Sequence, residues 1–173
     1  MATQTRLARL GALLFALLAC NTAYYIVAGR FSEALESVAW YALLILFILE
    51  TVRRRSARVL AAMRGLRMLA TLTIATTAVL YVREKEWLDA ANLLLWITVV
   101  ALLEVEVRRP AAIAVHRKAF TSAAALLYAA LGVLVLVWLA IGKWMNAWDA
   151  TLWLAAFGIL ELDLLRAEEK VRT

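Results

Sequence analysis

The chain has 173 residues, 65% of them hydrophobic, and its mean hydropathy is +0.81. Soluble domains average about 45–50% apolar residues, so a water-surrounded globule is excluded and lipid is expected as the solvent for most of the surface. The net charge of +6 does not point to nucleic acid, because the basic residues gather in alternate loops rather than on one helix face. The single cysteine, Cys20, excludes an internal disulfide and reads as a small core residue.

Taken in chain order, the apolar periodicity predicts six helices at roughly 8–28, 34–54, 66–83, 88–108, 119–142 and 147–167. The first run follows Arg6 and Arg9 and ends Leu17-Leu18-Ala19-Cys20, which is close to a lipoprotein cleavage box. It is read as a retained helix, because Leu18 fits that box poorly and Tyr25 belongs to a register that returns later in the chain. The odd-numbered segments are ordinary apolar spans. The even-numbered ones are short of uncharged residues, with 13 between Glu36 and Glu50 and 11 between Asp149 and Glu161. Crossing the hydrocarbon takes about 20 residues, so the terminal acids and arginines of these helices are expected at the boundary or slightly inside it. Pro110 is the only proline and no span is repeatedly broken by glycine. Continuous helices are therefore expected, which counts against transporters that bind substrate at unwound half-helices.

The register repeats three times. Trp40…Glu50-Thr-Val-Arg53, Trp96…Glu106-Val-Arg-Arg109 and Trp153…Asp163-Leu-Leu-Arg166 are offset by 56 and then 57 residues. Tyr25, Tyr81 and Trp138 share this register, as do Phe31, Trp87 and Trp144, and Ala34, Ala90 and Ala147. A period of this length marks one supersecondary unit copied along the chain. The expected fold is an all-α integral membrane protein, a single membrane domain spanning 1–173. Its six transmembrane helices form three tandem helical hairpins with pseudo-threefold symmetry, with units at about 1–58, 59–114 and 115–173.

Fifteen Lys and Arg residues fall on the side that holds both termini and the loops after the even helices, against four (Arg30, Arg83, Lys85 and Lys143) on the other. By the positive-inside rule both termini are expected in the cytoplasm, and the expected location is the cell inner membrane. All seven tryptophans then lie in the outer half, as an aromatic belt or as the lining of an outward cavity. Glu33-Ala-Leu-Glu36, Asp89-Ala-Ala-Asn92 and Asn146-Ala-Trp-Asp149 recur where each even helix starts. They suit capping of free N–H groups in the first turn; the alternative is a convergent cation-binding ring.

Glu50, Glu106 and Asp163 each stand three residues before an arginine, Arg53, Arg109 and Arg166. Each acid can pair with its own arginine across one turn, or with the next hairpin's arginine to close the inner face. These pairs on three two-helix repeats resemble the pattern of the mitochondrial carrier family. The chain lacks that family's proline-kinked odd helices and in-plane helices and is far shorter, so no activity is carried over. Leu46-Phe47-Ile48-Leu49-Glu50 resembles the second helix of voltage-sensor domains, but no helix here carries an arginine ladder.

Glu104 and Glu161 form a further matched pair, two residues nearer the midplane. Acids at membrane depth are functional candidates by default, and a desolvated one can carry a proton; the other reading is an interfacial contact with Arg117, Lys118 or lipid. His116 is the only histidine, and no metal, haem or phosphate-loop motif occurs. No enzyme activity, catalytic residue, metal or cofactor is expected. The expected function is an accessory or scaffold subunit packing within a larger membrane complex. The alternative is a small oligomeric transporter or channel for protons or a small cation. Expected partners are other subunits or copies of the chain, and anionic lipid at the basic run Arg53-Arg54-Arg55…Arg58…Arg64…Arg67.

Overall fold

A computed structural model describes residues 2–52, 56–108 and 115–172. Among these residues the chain is helical apart from short turns, with no strand. In chain order the helices are α1 (Ala2–Ala28), α2 (Phe31–Val52), α3 (Ala57–Glu84), α4 (Trp87–Arg108), α5 (Arg117–Ala140) and α6 (Trp144–Arg172). Stretches of four of them, Arg9–Ala28, Arg58–Glu84, Trp87–Val105 and Arg117–Ala140, are long and apolar enough to cross a membrane.

The largest departure from the expected boundaries is α3, which starts nine residues before position 66. Ala57–Leu66 holds Ala, Leu, Met and Arg, strong helix formers, with one valine and one glycine among them. Ser56 caps it, accepting the Val59 N–H at 3.5 Å. A boundary drawn where charge appears marks the end of an apolar run, and a helix need not stop there. The same reason carries α1 back to Ala2 and α6 on to Arg172.

The chain divides into two compact units, residues 19–93 and residues 1–18 with 94–173. In the first, α2 packs on α3. Met63, Ala70, Ile74, Thr77 and Tyr81 form the buried stripe of α3 at helical spacing. Threonines suit this helix because their hydroxyls donate to their own backbone four residues back. Thr71 reaches the Arg67 carbonyl at 2.9 Å, Thr73 the Leu69 carbonyl at 3.0 Å and Thr77 the Thr73 carbonyl at 2.9 Å. In the second unit α5 packs on α6. Leu131 and Trp138 are buried from α5, and Ala147, Ala150, Leu152 and Trp153 from α6. Phe157 lies against Trp96, ring centroids 4.9 Å apart, and beside Trp153 at 6.4 Å.

Two turns share one construction. Lys85 (φ 62°) and Gly142 (φ 77°) both adopt the left-handed conformation just past a helix end. The next N–H then reaches back five residues, Glu86 to the Tyr81 carbonyl and Lys143 to the Trp138 carbonyl, each at 2.9 Å. This is the Schellman closure, which satisfies carbonyls left open at a helix end. The residues at the preceding register position, Tyr25, Tyr81 and Trp138, are all buried, whereas Phe31, Trp87 and Trp144 are 63–73% exposed. Gly29 occupies the corresponding place after α1; a Cβ there would stand 2.7 Å from the Tyr25 carbonyl oxygen.

Left-handed backbone costs a non-glycine residue about 1–2 kcal/mol. Lys85→Gly is therefore expected to stabilise the protein by about 1 kcal/mol and Gly142→Ala to destabilise it by a similar amount. Thermal unfolding in detergent checks both; no change from either substitution would rule out these turn conformations.

Candidate functional site

The densest group of interacting charged side chains among the described residues lies within the 19–93 unit, where the α1–α2 and α3–α4 turns meet. Arg30 is the N-cap of α2, its carbonyl accepting the Ala34 N–H at 2.9 Å. Glu33, at the third helical position, reaches back to the Arg30 backbone N–H at 2.8 Å, which is the reciprocal half of a capping box. Its other oxygen accepts the Arg30 guanidinium at 2.9 Å.

The α3–α4 turn supplies the remaining acids. Only Lys85 and Glu86 separate α3 from α4, so Glu84, Glu86 and Asp89 are held close together. Arg30 Nη1 lies 2.6 Å from Glu86 Oε1 and 3.8 Å from Glu84 Oε2, and Nη2 lies 2.9 Å from Asp89 Oδ2. Ser32, fully buried, donates its hydroxyl to Glu84 at 2.7 Å. One turn further along α2, Glu36 accepts the Tyr81 hydroxyl at 2.5 Å. Ser37 donates to Thr22 Oγ1 of α1 at 3.0 Å. The buried polar residues of the described chain, Asn21, Thr22, Ser32, Ser37, Thr77, Asp89 and Asn92, all fall in this unit.

The Asp89 side chain is 5% exposed and that of Arg30 is 37% exposed. Burying an unpaired carboxylate is costly, and the guanidinium offsets that cost from the wetter side. Burial alone would lower the Arg30 pKa. The hydrogen bond and charge of Glu33, the charge of Glu86 and the bond to Asp89 outweigh it and raise the value above that of ordinary arginine. A raised basic pKa contributes stability that is complete below the unfolded value and is lost only as pH rises through the folded one. Arg30 therefore stays charged across neutral and moderately alkaline pH, and the cluster acts as a clamp between two turns. Among the described residues no group of three or more His, Cys, Asp or Glu side chains is placed to hold a metal ion.

The recurring turn residues divide in role. Glu33 caps α2 through the Arg30 N–H, while Asp89 faces Arg30. Glu104 is exposed, on α4. Glu50, Glu106, Glu161, Asp163 and Arg166 lie on helical backbone, but their side chains fall outside the described set, and Arg53 and Arg109 lie outside the described residues altogether. Among the described side chains the structure assembles Arg30, Glu84, Glu86, Asp89 and the Tyr81–Glu36 pair. In the sequence reading, Arg30 entered only as one of four bases on its side. The available signal was opposite charge at one register position, Arg30 and, 56 residues on, Glu86.

Comparison with family models, curated proteins and solved structures finds no match.

Removing Arg30 leaves Asp89 buried beside uncompensated negative charge. Arg30→Gln is expected to cost about 2 kcal/mol, below the full value of a buried pair because Arg30 is partly in water. Asp89→Asn in the Arg30→Gln background should recover part of that loss. A double-mutant cycle on denaturant unfolding checks the coupling; strictly additive losses would show that the pair is not coupled.

Proposed function

We infer that the chain is a non-catalytic, six-span subunit of the cell inner membrane that packs within a larger membrane complex. In this reading it is three tandem hairpins with pseudo-threefold symmetry and both termini are cytoplasmic. The shared turn construction at Lys85 and Gly142 and the matched burial of Tyr25, Tyr81 and Trp138 support the repeat.

The observation that carries the subunit reading is α5. Its apolar stretch has a hydropathy of 2.4, and only 11% of that stretch is buried within the chain. Ser122, Ala125 and Ala129 are exposed at helical spacing, and Gly132 continues their line with nothing within 4 Å of a Cβ. Small residues in this arrangement let a second helix approach closely, which is the main device for helix association in lipid. Leu126, Val133 and Leu136, each 56–71% exposed, would flank such a contact.

A second reading is transport of protons or a small cation, with Glu104 and Glu161 as carriers. The polar interior of the 19–93 unit favours it. Asp89 and Asn92 are buried there at helical spacing, and the Asn92 side-chain oxygen has no hydrogen-bond partner. Polar residues inside a membrane bundle are costly and often functional.

Native mass measurement after gentle extraction tests the first reading. Co-migration with other subunits at fixed stoichiometry is expected. Ala129→Leu with Gly132→Leu should disrupt it without lowering the protein's own melting temperature, since both sites face away from its core. Recovery of the chain alone, together with a proton or cation flux that falls in Glu161→Gln or Glu104→Gln, would overturn the subunit reading in favour of transport.

A further inference from the structure

Within the 19–93 unit, α2 and α4 each carry a polar residue one turn beyond an acid. Glu36 follows Glu33 on α2, and Asn92 follows Asp89 on α4. Glu36 and Asn92 are each the sixth residue of their helix, about 8 Å along the axis from its start. The two starts are joined by Arg30, the residue before α2, whose guanidinium engages Glu86, the residue before α4, and Asp89. Glu36 and Asn92 therefore stand at one depth below the joined turns. Asn92 shares the buried face of α4 with Asp89 and Leu93. It is only 8% exposed, and its side-chain oxygen has no hydrogen-bond partner.

Helix α3 brings a third oxygen. The Tyr81 hydroxyl donates to Glu36 at 2.5 Å, and Asp89 lies within electrostatic reach of the same hydroxyl. Its proton is directed at Glu36, and a hydroxyl oxygen retains two acceptor sites. Charge points the same way. Between residues 30–36 and 83–92 the unit holds five acids and three bases, and two of those bases, Arg83 and Lys85, are exposed. A buried acceptor such as the Asn92 oxygen is costly unless a donor or a cation faces it. A neighbouring carboxylate is itself an acceptor and cannot meet that need.

We propose that the Glu36 carboxylate, the Asn92 side-chain oxygen and the Tyr81 hydroxyl oxygen bind one alkali-metal cation, sodium or potassium, with Asp89 adding negative charge one turn away. The donor set is all oxygen, which suits a hard cation. Calcium takes 6–8 oxygens and favours several carboxylates, and among the described residues no group of three or more His, Cys, Asp or Glu side chains is placed to hold such an ion. One carboxylate with neutral oxygens suits a single positive charge instead, and partial burial strengthens its attraction. The inference goes beyond both the subunit and the transport readings, because binding is measured without a partner and without flux.

Binding of radioactive sodium to the full chain in detergent tests the site. The expected result is saturable binding near one ion per chain, displaced by sodium or potassium chloride and not by choline chloride. Asn92→Leu removes the oxygen but keeps a side chain of similar size, and should weaken binding by about tenfold or more. Its melting temperature in choline chloride should match or exceed the parent's, since an unsatisfied polar group has been replaced by an apolar one. Glu36→Gln, which keeps an acceptor for Tyr81, should also lose binding, whereas Asn92→Asp should retain it. No saturable binding in the parent, or unchanged binding in Asn92→Leu, overturns the site. Should Asn92→Leu fail to fold, the parent's melting temperature decides. Each tenfold rise in sodium above its Kd should raise it by about 3–5 °C relative to choline chloride at equal ionic strength, and no such rise overturns the site.

Discussion

Asp89 cannot be buried alone. Its carboxylate is almost wholly withdrawn from water, and a charge in that position needs an opposite charge and well-placed donors. Arg30 supplies both, from a turn 59 residues away in sequence. The arginine can do so because its backbone is already fixed as the cap of α2 by Glu33. Its planar head then engages Glu33, Glu86 and Asp89 at 2.6–2.9 Å with no large movement of the side chain. The Ser32–Glu84 and Tyr81–Glu36 bonds extend the same tie along α2 and α3. In lipid, where burial of apolar surface no longer drives helices together, polar ties of this kind and close packing are what hold a bundle in register.

The two faces of α3 follow from that tie. Once Tyr81 meets Glu36 and Glu84 meets Ser32, the rotation of α3 about its axis is set. The Met63–Tyr81 stripe then turns inward, and Met68, Leu72, Val79 and Val82 turn out. Two hydrogen bonds near one end of the helix thus set which side chains the rest of it presents on each face.

Much of the architecture was legible in the sequence because helices in lipid are written in hydropathy. Six segments, their order, and the tight turns before Phe31, Trp87 and Trp144 follow from apolar runs and the 56-residue register. Helix ends were less legible. Charged positions such as Arg58 and Arg64 end an apolar run, while the backbone continues as helix through them. The cluster at Arg30 was not legible, since its residues lie up to 59 positions apart in sequence and are joined by the juxtaposition of two turns. Acid-x-x-arginine patterns such as Glu50–Arg53 draw attention because both partners sit within one turn. Local spacing announces local pairs and is silent about Arg30 with Asp89.

The register also shows which turn positions are constrained. The residue just before each even helix is Arg30, Glu86 or Lys143. Arg30 and Glu86 are opposite charges, and they meet at 2.6 Å. Gly29, Lys85 and Gly142 stand at one register position, and Lys85 and Gly142 adopt the left-handed conformation. A turn position constrained by backbone geometry accepts whatever can reach that conformation. The neighbouring position, constrained only by where its side chain points, is free to carry either charge. Opposite charges at 30 and 86 tie the two turns together, which like charges could not do, and Asp89 is buried beside that tie.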